Sequence, residues 1–122
     1  MTDLRRQRGL QSEQLAAAYL QGRGVVLVAR NLRCKAGELD LVGLDNGVLA
    51  VIEVRQRGSQ EFGGALQSVT WRKQRKIIRA ARYFLQRQAE WHGRAMRFDV
   101  LAVEGPPGAQ HLHWVKDAFR AT

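Results

Sequence analysis

The spacing of apolar and polar residues changes several times along the chain, and each change predicts an element. Over residues 10–21, Leu10, Ala16, Ala17 and Leu20 fall on one side of a helical wheel, while Gln11, Gln14 and Gln21 fall on another. Gly22 and Gly24 end that helix. Residues 25–32 (VVLVARNL), 38–44 (ELDLVGL) and 48–55 (VLAVIEVR) read as three strands. Asn46-Gly47 between the last two is a strong hairpin signal, because both residues tolerate positive φ. Residues 57–68 (RGSQEFGGALQS) are rich in glycine and polar groups and read as a mobile loop, or a loop holding a short helical turn. Gly58, Gly63 and Gly64 would let it close over a substrate or serve as a simple connector. Thr70 is the expected N-cap of a long helix reaching about Ala89. Residues 96–103 (MRFDVLAV) form a fourth strand, 105–108 a turn and 111–115 a last short strand, with Ala118-Phe119 closing as a terminal turn. Residues 1–9 are expected to be a short mobile basic arm carrying Arg5, Arg6 and Arg8.

The order is helix, three strands, helix, two strands. A meander followed by a helical crossover gives an α/β fold, a mixed sheet with helices packed on it, in one domain spanning residues 1–122. A chain of 122 residues can bury a single core without disulfides or a structural metal.

Charge adds a second constraint. Twenty Lys and Arg against eleven Asp and Glu leave a formal charge of +9, which favours polyanionic partners, nucleic acid first. A surplus kept only for solubility is the plainer alternative. An anionic membrane is disfavoured, since no helix pairs a basic face with exposed bulky apolar residues. No apolar run approaches the roughly 18 residues needed to cross a bilayer. The first residues carry no apolar stretch of the secretory kind, and Cys34 is the only cysteine, so a reducing, cytoplasmic setting is expected.

The hairpin permits a calculation. With Asn46 and Gly47 as the loop, Asp45 faces Val48, and the numbers of facing residues keep a constant sum of 93. Asp40 then lies opposite Glu53, with Cβ atoms about 4.5–5.5 Å apart, and Glu38 lies opposite Arg55. All four share one face. Glu53 interrupts an apolar run, where a carboxylate is costly unless paired, protonated or bound to a cation. Two adjacent carboxylates also raise at least one pKa. Mg²⁺ or Mn²⁺ would relieve both problems, commonly through one or two carboxylates plus waters and phosphate oxygens. Ion pairs to Arg55 and Arg33 are the alternative, and a register slip of one residue would separate the acids. Glu13 falls within the apolar arc of the first helix, either aimed at this site or reaching water from the edge of the stripe.

The long helix separates its character cleanly. Ile77, Ile78, Ala81, Phe84 and Leu85 share one side; Arg72, Arg75, Lys76, Arg79, Arg82 and Arg87 share the other, without an acid among them. Like charges at this spacing repel by a few tenths of a kcal/mol per pair. Phosphates would offset that and release condensed counterions. With Lys73, the expected nucleic-acid contacts are Arg72, Lys73, Arg75, Lys76, Arg79 and Arg82. Gln74 points to the apolar side, as a satisfied core amide or as a group aimed at the acids. Asp99 is expected to pair with Arg97 rather than support the site. His92, His111 and His113 lack metal spacing, and Trp71, Trp91 and Trp114 are expected in the core or at helix ends.

Over almost its whole length the chain resembles the YraN-like family of small bacterial proteins. The match runs from SEQLAAAYLQGRGVVLVARNLRCKAGELDLVGLDNGVLAVIEVRQR through FGGALQSV and RKQRKIIRAARYFL to RFDVLAV and KDAF. Gly37-Glu38-Leu39-Asp40 and Glu53-Val54-Arg55 are the most specific segments. That family looks like a branch of the restriction-endonuclease-like PD-(D/E)xK superfamily, near archaeal Holliday-junction resolvases. The resemblance implies an αβββαβ core, Asp40 and Glu53 as metal-binding acids, Glu13 as the acid of the first helix, and metal-assisted phosphodiester hydrolysis. Arg55 falls where the motif has its catalytic lysine, and Ser12 where the family usually has glycine. The resemblance leaves Arg55 a catalytic part, holding the scissile phosphate or orienting a water; arginine cannot act as a base, so any role needing deprotonation is lost at position 55. Three readings follow: a nuclease for branched or structured DNA, a binding module that kept the fold without catalysis, and a structural partner of a nucleic-acid-processing protein. DNA is the expected ligand, RNA the alternative, and two-fold substrates make a homodimer attractive.

Overall fold

The computed structural model describes residues 4–57, 64–106 and 108–121, with side chains from residue 9 onward. The chain runs α1 (Leu4–Gly22), β1 (Val26–Cys34), β2 (Gly37–Asp45), β3 (Val48–Arg57), α2 (Gly64–Gln67), α3 (Trp71–Arg87), β4 (Met96–Glu104) and β5 (His111–Phe119), with a 3₁₀ turn at Ala89–Trp91. One sheet holds the strands in the order β1-β2-β3-β4-β5. Only β3 and β4 are parallel, because α3 carries the chain back between them, whereas the other neighbours are antiparallel.

The central strand β3 explains the layering. Leu49 and Val51 join Ile77, Ile78, Ala81 and Phe84 of α3 in one core, and Ala50 and Ile52 join Ala16, Ala17 and Leu20 of α1 in another. Successive strand residues face opposite sides, so the unbroken apolar run is what a strand covered by a helix on each face requires. The α/β class is as expected, and the architecture is consistent with a restriction-endonuclease-like core.

The hairpin adopts the expected turn. Asn46 and Gly47 have φ of 50° and 84°, and Asp45 pairs with Val48. Thr70 caps α3, its side chain accepting the Lys73 N–H at 3.3 Å.

Two expectations change. The helix begins at Leu4, so residues 4–9 continue α1 instead of forming an arm. Leu, Arg and Gln are good helix formers, and the single Gly9 costs only about 1 kcal/mol. The last strand continues to Phe119 in place of a terminal turn. An irregularity between Phe98 and Val100 re-sets the register so that Phe119 pairs with Phe98, and their rings stack with centroids 5.2 Å apart. Of the expected loop over 57–68, Gly64–Gln67 is helical, and residues 58–63 lie outside the described residues.

A buried polar network ties the hairpin to the far strands. Asp99, with no exposed surface, accepts from Arg97 Nε at 2.9 Å, Trp114 Nε1 at 2.9 Å and the Asp117 N–H at 2.9 Å. Arg97 also reaches Asp45 at 2.6 Å, and Lys116 joins Asp45 at 3.0 Å. Buried carboxylates persist when their acceptors are filled in this way. Removing one partner leaves the other charge uncompensated. We expect Asp99→Ala to lower the urea unfolding free energy by about 3 kcal/mol; a loss within experimental error would refute this structural role.

Candidate functional site

The acid pair sits where two strands stop pairing. The β2–β3 ladder runs from Asp45/Val48 to Leu41/Ile52 and ends there. Asp40 and Glu53 are the next residues in that register. In place of a main-chain carbonyl, Asp40 Oδ2 accepts the Val54 N–H at 2.9 Å. The strand also rolls at this point: Leu39 packs in the α3 core and Leu41 in the α1 core, although residues two apart ordinarily share a face. Asp40 therefore lies at the roll, bound to β3 by its side chain.

Electrostatics follow from that position. The Glu53 side chain is only 14% exposed. Burial, the charge of adjacent Asp40 and a hydrogen bond with Asp40 push its carboxyl up to about 8, against the pull of Arg55 and Lys73. Burial also raises Asp40, although the Val54 N–H and the bond with Glu53 favour its anion. Without a cation, the pair holds a proton on Glu53 that is shared toward Asp40. A hard divalent ion would replace that proton, the usual competition at carboxylate sites.

Arg55 is fixed in place. Its Nη1 lies 3.7 Å from Glu53 Oε1, and its Nε donates to Ser68 Oγ at 2.9 Å. Ser68 Oγ in turn donates to the Ala65 carbonyl at 2.5 Å. Glu38, expected opposite Arg55, instead pairs with Arg33 on β1 at 3.7 Å. The register that would join Glu38 to Arg55 lies beyond the end of the β2–β3 ladder, so that expected pair does not form.

Glu13 approaches from α1. Burial and the charge of Asp40 raise its pKa, and a hydrogen bond from Asn31 opposes them. Asn31 has a left-handed φ of 48° within β1. One Glu13 carboxylate oxygen is buried with no hydrogen-bond partner, and so is Ser12 Oγ. An orphaned carboxylate oxygen beside a protonated acid pair suits a hard cation. Among the described residues, however, no three His, Cys, Asp or Glu side chains close into a ligand set. Asp40 and Glu53 are thus the pair that would hold an ion, completed by water and ligand oxygens, with Glu13 at its margin.

The cationic helix borders this site. Arg72, Lys76, Arg79, Arg82 and Arg87 are exposed, and Arg75 is half-buried with its guanidinium 5.6 Å from the Trp71 ring centre. Among the described residues none of them forms an ion pair with a carboxylate. Lys73 differs. It is half-buried, and burial together with Arg55 and Arg57 lowers its pKa, while Glu53 and Asp40 act to raise it. Gln74 donates to the Val69 carbonyl at 3.1 Å, so its amide serves the helix start and not the acids. Trp71, expected in the core or at a helix end, opens α3 with 73% of its surface exposed. Exposed position on a polar loop-to-helix junction was the available signal, but wheel position alone does not separate a cap from a platform.

All of these side chains fall within residues 12–103, the stretch matched by the model described as "Uncharacterised protein family UPF0102". The chain belongs to that family. A UPF0102 protein of Pseudomonas savastanoi pv. phaseolicola is 47% identical over 116 residues, covering 94% of each chain. One from Pseudomonas putida is 49% identical over 112 residues, covering 91% of each. One from Nitrosococcus oceani is 44% identical over 115 residues, covering 94% of this chain and 93% of its own. The YraN-like resemblance is therefore sound at the level of family.

In this UPF0102 chain the acid pair makes metal-free stability depend on pH. Glu53 and Asp40 hold protons more tightly folded than unfolded. Their contribution is complete below the ordinary carboxylate range and is lost as pH rises through about 8. Asp45 works oppositely: Arg97 and Lys116 lower its pKa, so its contribution is lost as pH falls through the carboxylate range. We expect the urea midpoint, measured in chelator, to fall as pH rises from about 5 to beyond 8, and Glu53→Gln to flatten the fall. A wild-type midpoint that is level or rising over that window would contradict the assignment.

Proposed function

We propose that this chain is a metal-dependent phosphodiesterase acting on structured DNA, with Asp40 and Glu53 holding Mg²⁺ or Mn²⁺. The observation that carries the reading is the acid pair at the end of the β2–β3 ladder, buried, sharing a proton and facing the start of a helix lined with Arg and Lys. Such an ion would supply Lewis acidity and a water of lowered pKa. The chain's own residues do the rest. Arg72, Arg75, Lys76, Arg79 and Arg82 hold the sugar–phosphate backbone, and the positive N-terminal end of α3 adds to their field. Arg55, fixed by Ser68, presents a permanent charge beside Glu53. In hydrolysis the oxygen of water bonds to phosphorus, one ester P–O bond breaks, and the departing oxygen takes a proton to leave as an alcohol.

Trp71 bears on the substrate. An exposed indole in a cationic surface is a platform for an unpaired base, worth about 1–3 kcal/mol per stacked base. Its 73% exposure favours DNA with unpaired or splayed bases over continuous duplex.

A second reading has one observation in its favour. Arg55 replaces lysine and is already hydrogen-bonded, which suits a module that binds without cutting. A single experiment separates the two. Four-way junction, flap, duplex and single-stranded DNA are mixed with the protein in Mg²⁺ or Mn²⁺. Cleavage of the branched substrates is expected, lost in Asp40→Asn and Glu53→Gln. Binding should weaken steeply with salt, and the slope should shrink when Arg72, Lys76 and Arg79 are changed to Ala. Trp71→Ala should weaken the flap and single strand more than the duplex. Metal-independent binding with no cleavage would establish the second reading; a flat salt dependence would remove the nucleic acid altogether.

A further inference from the structure

Seven cations lie along α3, at positions 72, 73, 75, 76, 79, 82 and 87, but one of them is set apart from the rest. Lys73 belongs to the sheet-facing stripe, since Ile77, Ala80 and Phe84 follow it at helical spacing and are all buried. It is half-buried where Arg72, Lys76, Arg79 and Arg82 are exposed. The start of α3 is tied to β3 through Ser68 and capped by Thr70. Ser68 Oγ accepts Arg55 Nε at 2.9 Å, and Thr70 caps the Lys73 N–H at 3.3 Å. Glu53 and Arg55, alternating with the α1-facing Val54, look toward this helix. The charges that Lys73 senses are those of Arg55, Glu53, Arg57 and Asp40.

Position 55 poses a problem that Lys73 answers. The Arg55 guanidinium is tied to Ser68 and lies near Glu53, so its donors are partly spent within the protein. Lysine offers what it lacks: a compact ammonium on a flexible stem, with three donors that can turn to a new acceptor. No hydrogen bond or ion pair of the Lys73 ammonium is formed among the described residues.

We propose that Lys73, from the first turn of α3, is the catalytic cation of this site: its ammonium binds a non-bridging oxygen of the phosphate held beside Asp40 and Glu53, while Arg55 braces the helix start. This rests on the phosphodiesterase reading and names the residue that completes it. Lys73 is thereby separated from the groove-binding cations of the same helix. A groove cation lowers KM and steepens the salt dependence; a cation on the reacting phosphate sets kcat.

The test compares Lys73→Met, Lys73→Arg and Arg79→Ala, each checked for native circular dichroism. On flap DNA with Mn²⁺, Lys73→Met should lower kcat at least a hundredfold with little change in DNA affinity. Lys73→Arg should recover part of it, and Arg79→Ala should act mainly on KM. A second readout needs no turnover. Removing a positive charge beside the acids should tighten binding of Mn²⁺ alone by roughly three- to tenfold in Lys73→Met, with Lys73→Arg restoring the wild-type value. Loss of DNA affinity at unchanged kcat, or an unchanged Mn²⁺ affinity, overturns the proposal while leaving the acid pair's role intact. Wild-type protein that neither binds Mn²⁺ nor cleaves overturns the underlying reading itself.

Discussion

One hydrogen bond organises the site: the Val54 amide bound to the Asp40 carboxylate at 2.9 Å. A sheet ladder normally matches each N–H with a carbonyl. Here β2 and β3 stop pairing at Leu41/Ile52, and a side chain takes over the next amide. The consequence is geometric. Asp40 is drawn across to β3, Glu53 comes beside it, and the strands can diverge without stranding a buried N–H. The same carboxylate also hydrogen-bonds Glu53. The divergence also lets Glu13 of α1 sense the charge of Asp40 although its helix packs on the other face.

The rest of the fold reads as support for that opening. Two apolar cores bury β3 on both faces up to Ile52, and Glu53 follows at the point where full burial gives way, with Val54 still packed on the α1 side. The Asp45–Arg97–Asp99 network holds the opposite end of the hairpin and fixes its register from the turn outward. Asn46 and Gly47 set that register, with both residues at positive φ. At the other border, Ser68 and Thr70 fix the start of α3 beside Glu53 and Arg55. Cations thus surround a protonated acid pair, an arrangement that is costly in isolation and that a metal ion and phosphate together would relieve.

Much of this was legible in the sequence, for identifiable reasons. Asn-Gly dictates a two-residue turn, and a two-residue turn dictates the register that brings Asp40 to Glu53. The apolar period of α3 and the Thr70 cap are equally local signals. What stayed hidden depends on distant contacts. The end of the β2–β3 ladder is set by packing, so the expected Glu38–Arg55 pair gave way to Glu38–Arg33. The extension of β5 depends on an irregular register opposite Phe98, which no periodicity announces. The start of α1 carries no periodic signal, because a run of Arg and Gln around Gly9 has no apolar stripe, though its residues favour a helix. The surroundings of Lys73 and Trp71 depend on docking too: a wheel assigns faces, but only the docked helix shows that Lys73 is half-buried and that Trp71, at the helix end, is left in solvent.

The proposed chemistry requires the acid pair to exchange its proton for a divalent ion. Titration of the metal-free protein with Mn²⁺ at about pH 7, followed by calorimetry in buffers of different ionisation enthalpy, measures that exchange directly. Because the Glu53 carboxyl is raised to about 8, binding at this pH should release close to one proton for each ion bound. Asp40→Asn should abolish the saturable site. Binding without proton release, or binding that survives in Asp40→Asn, would contradict the account.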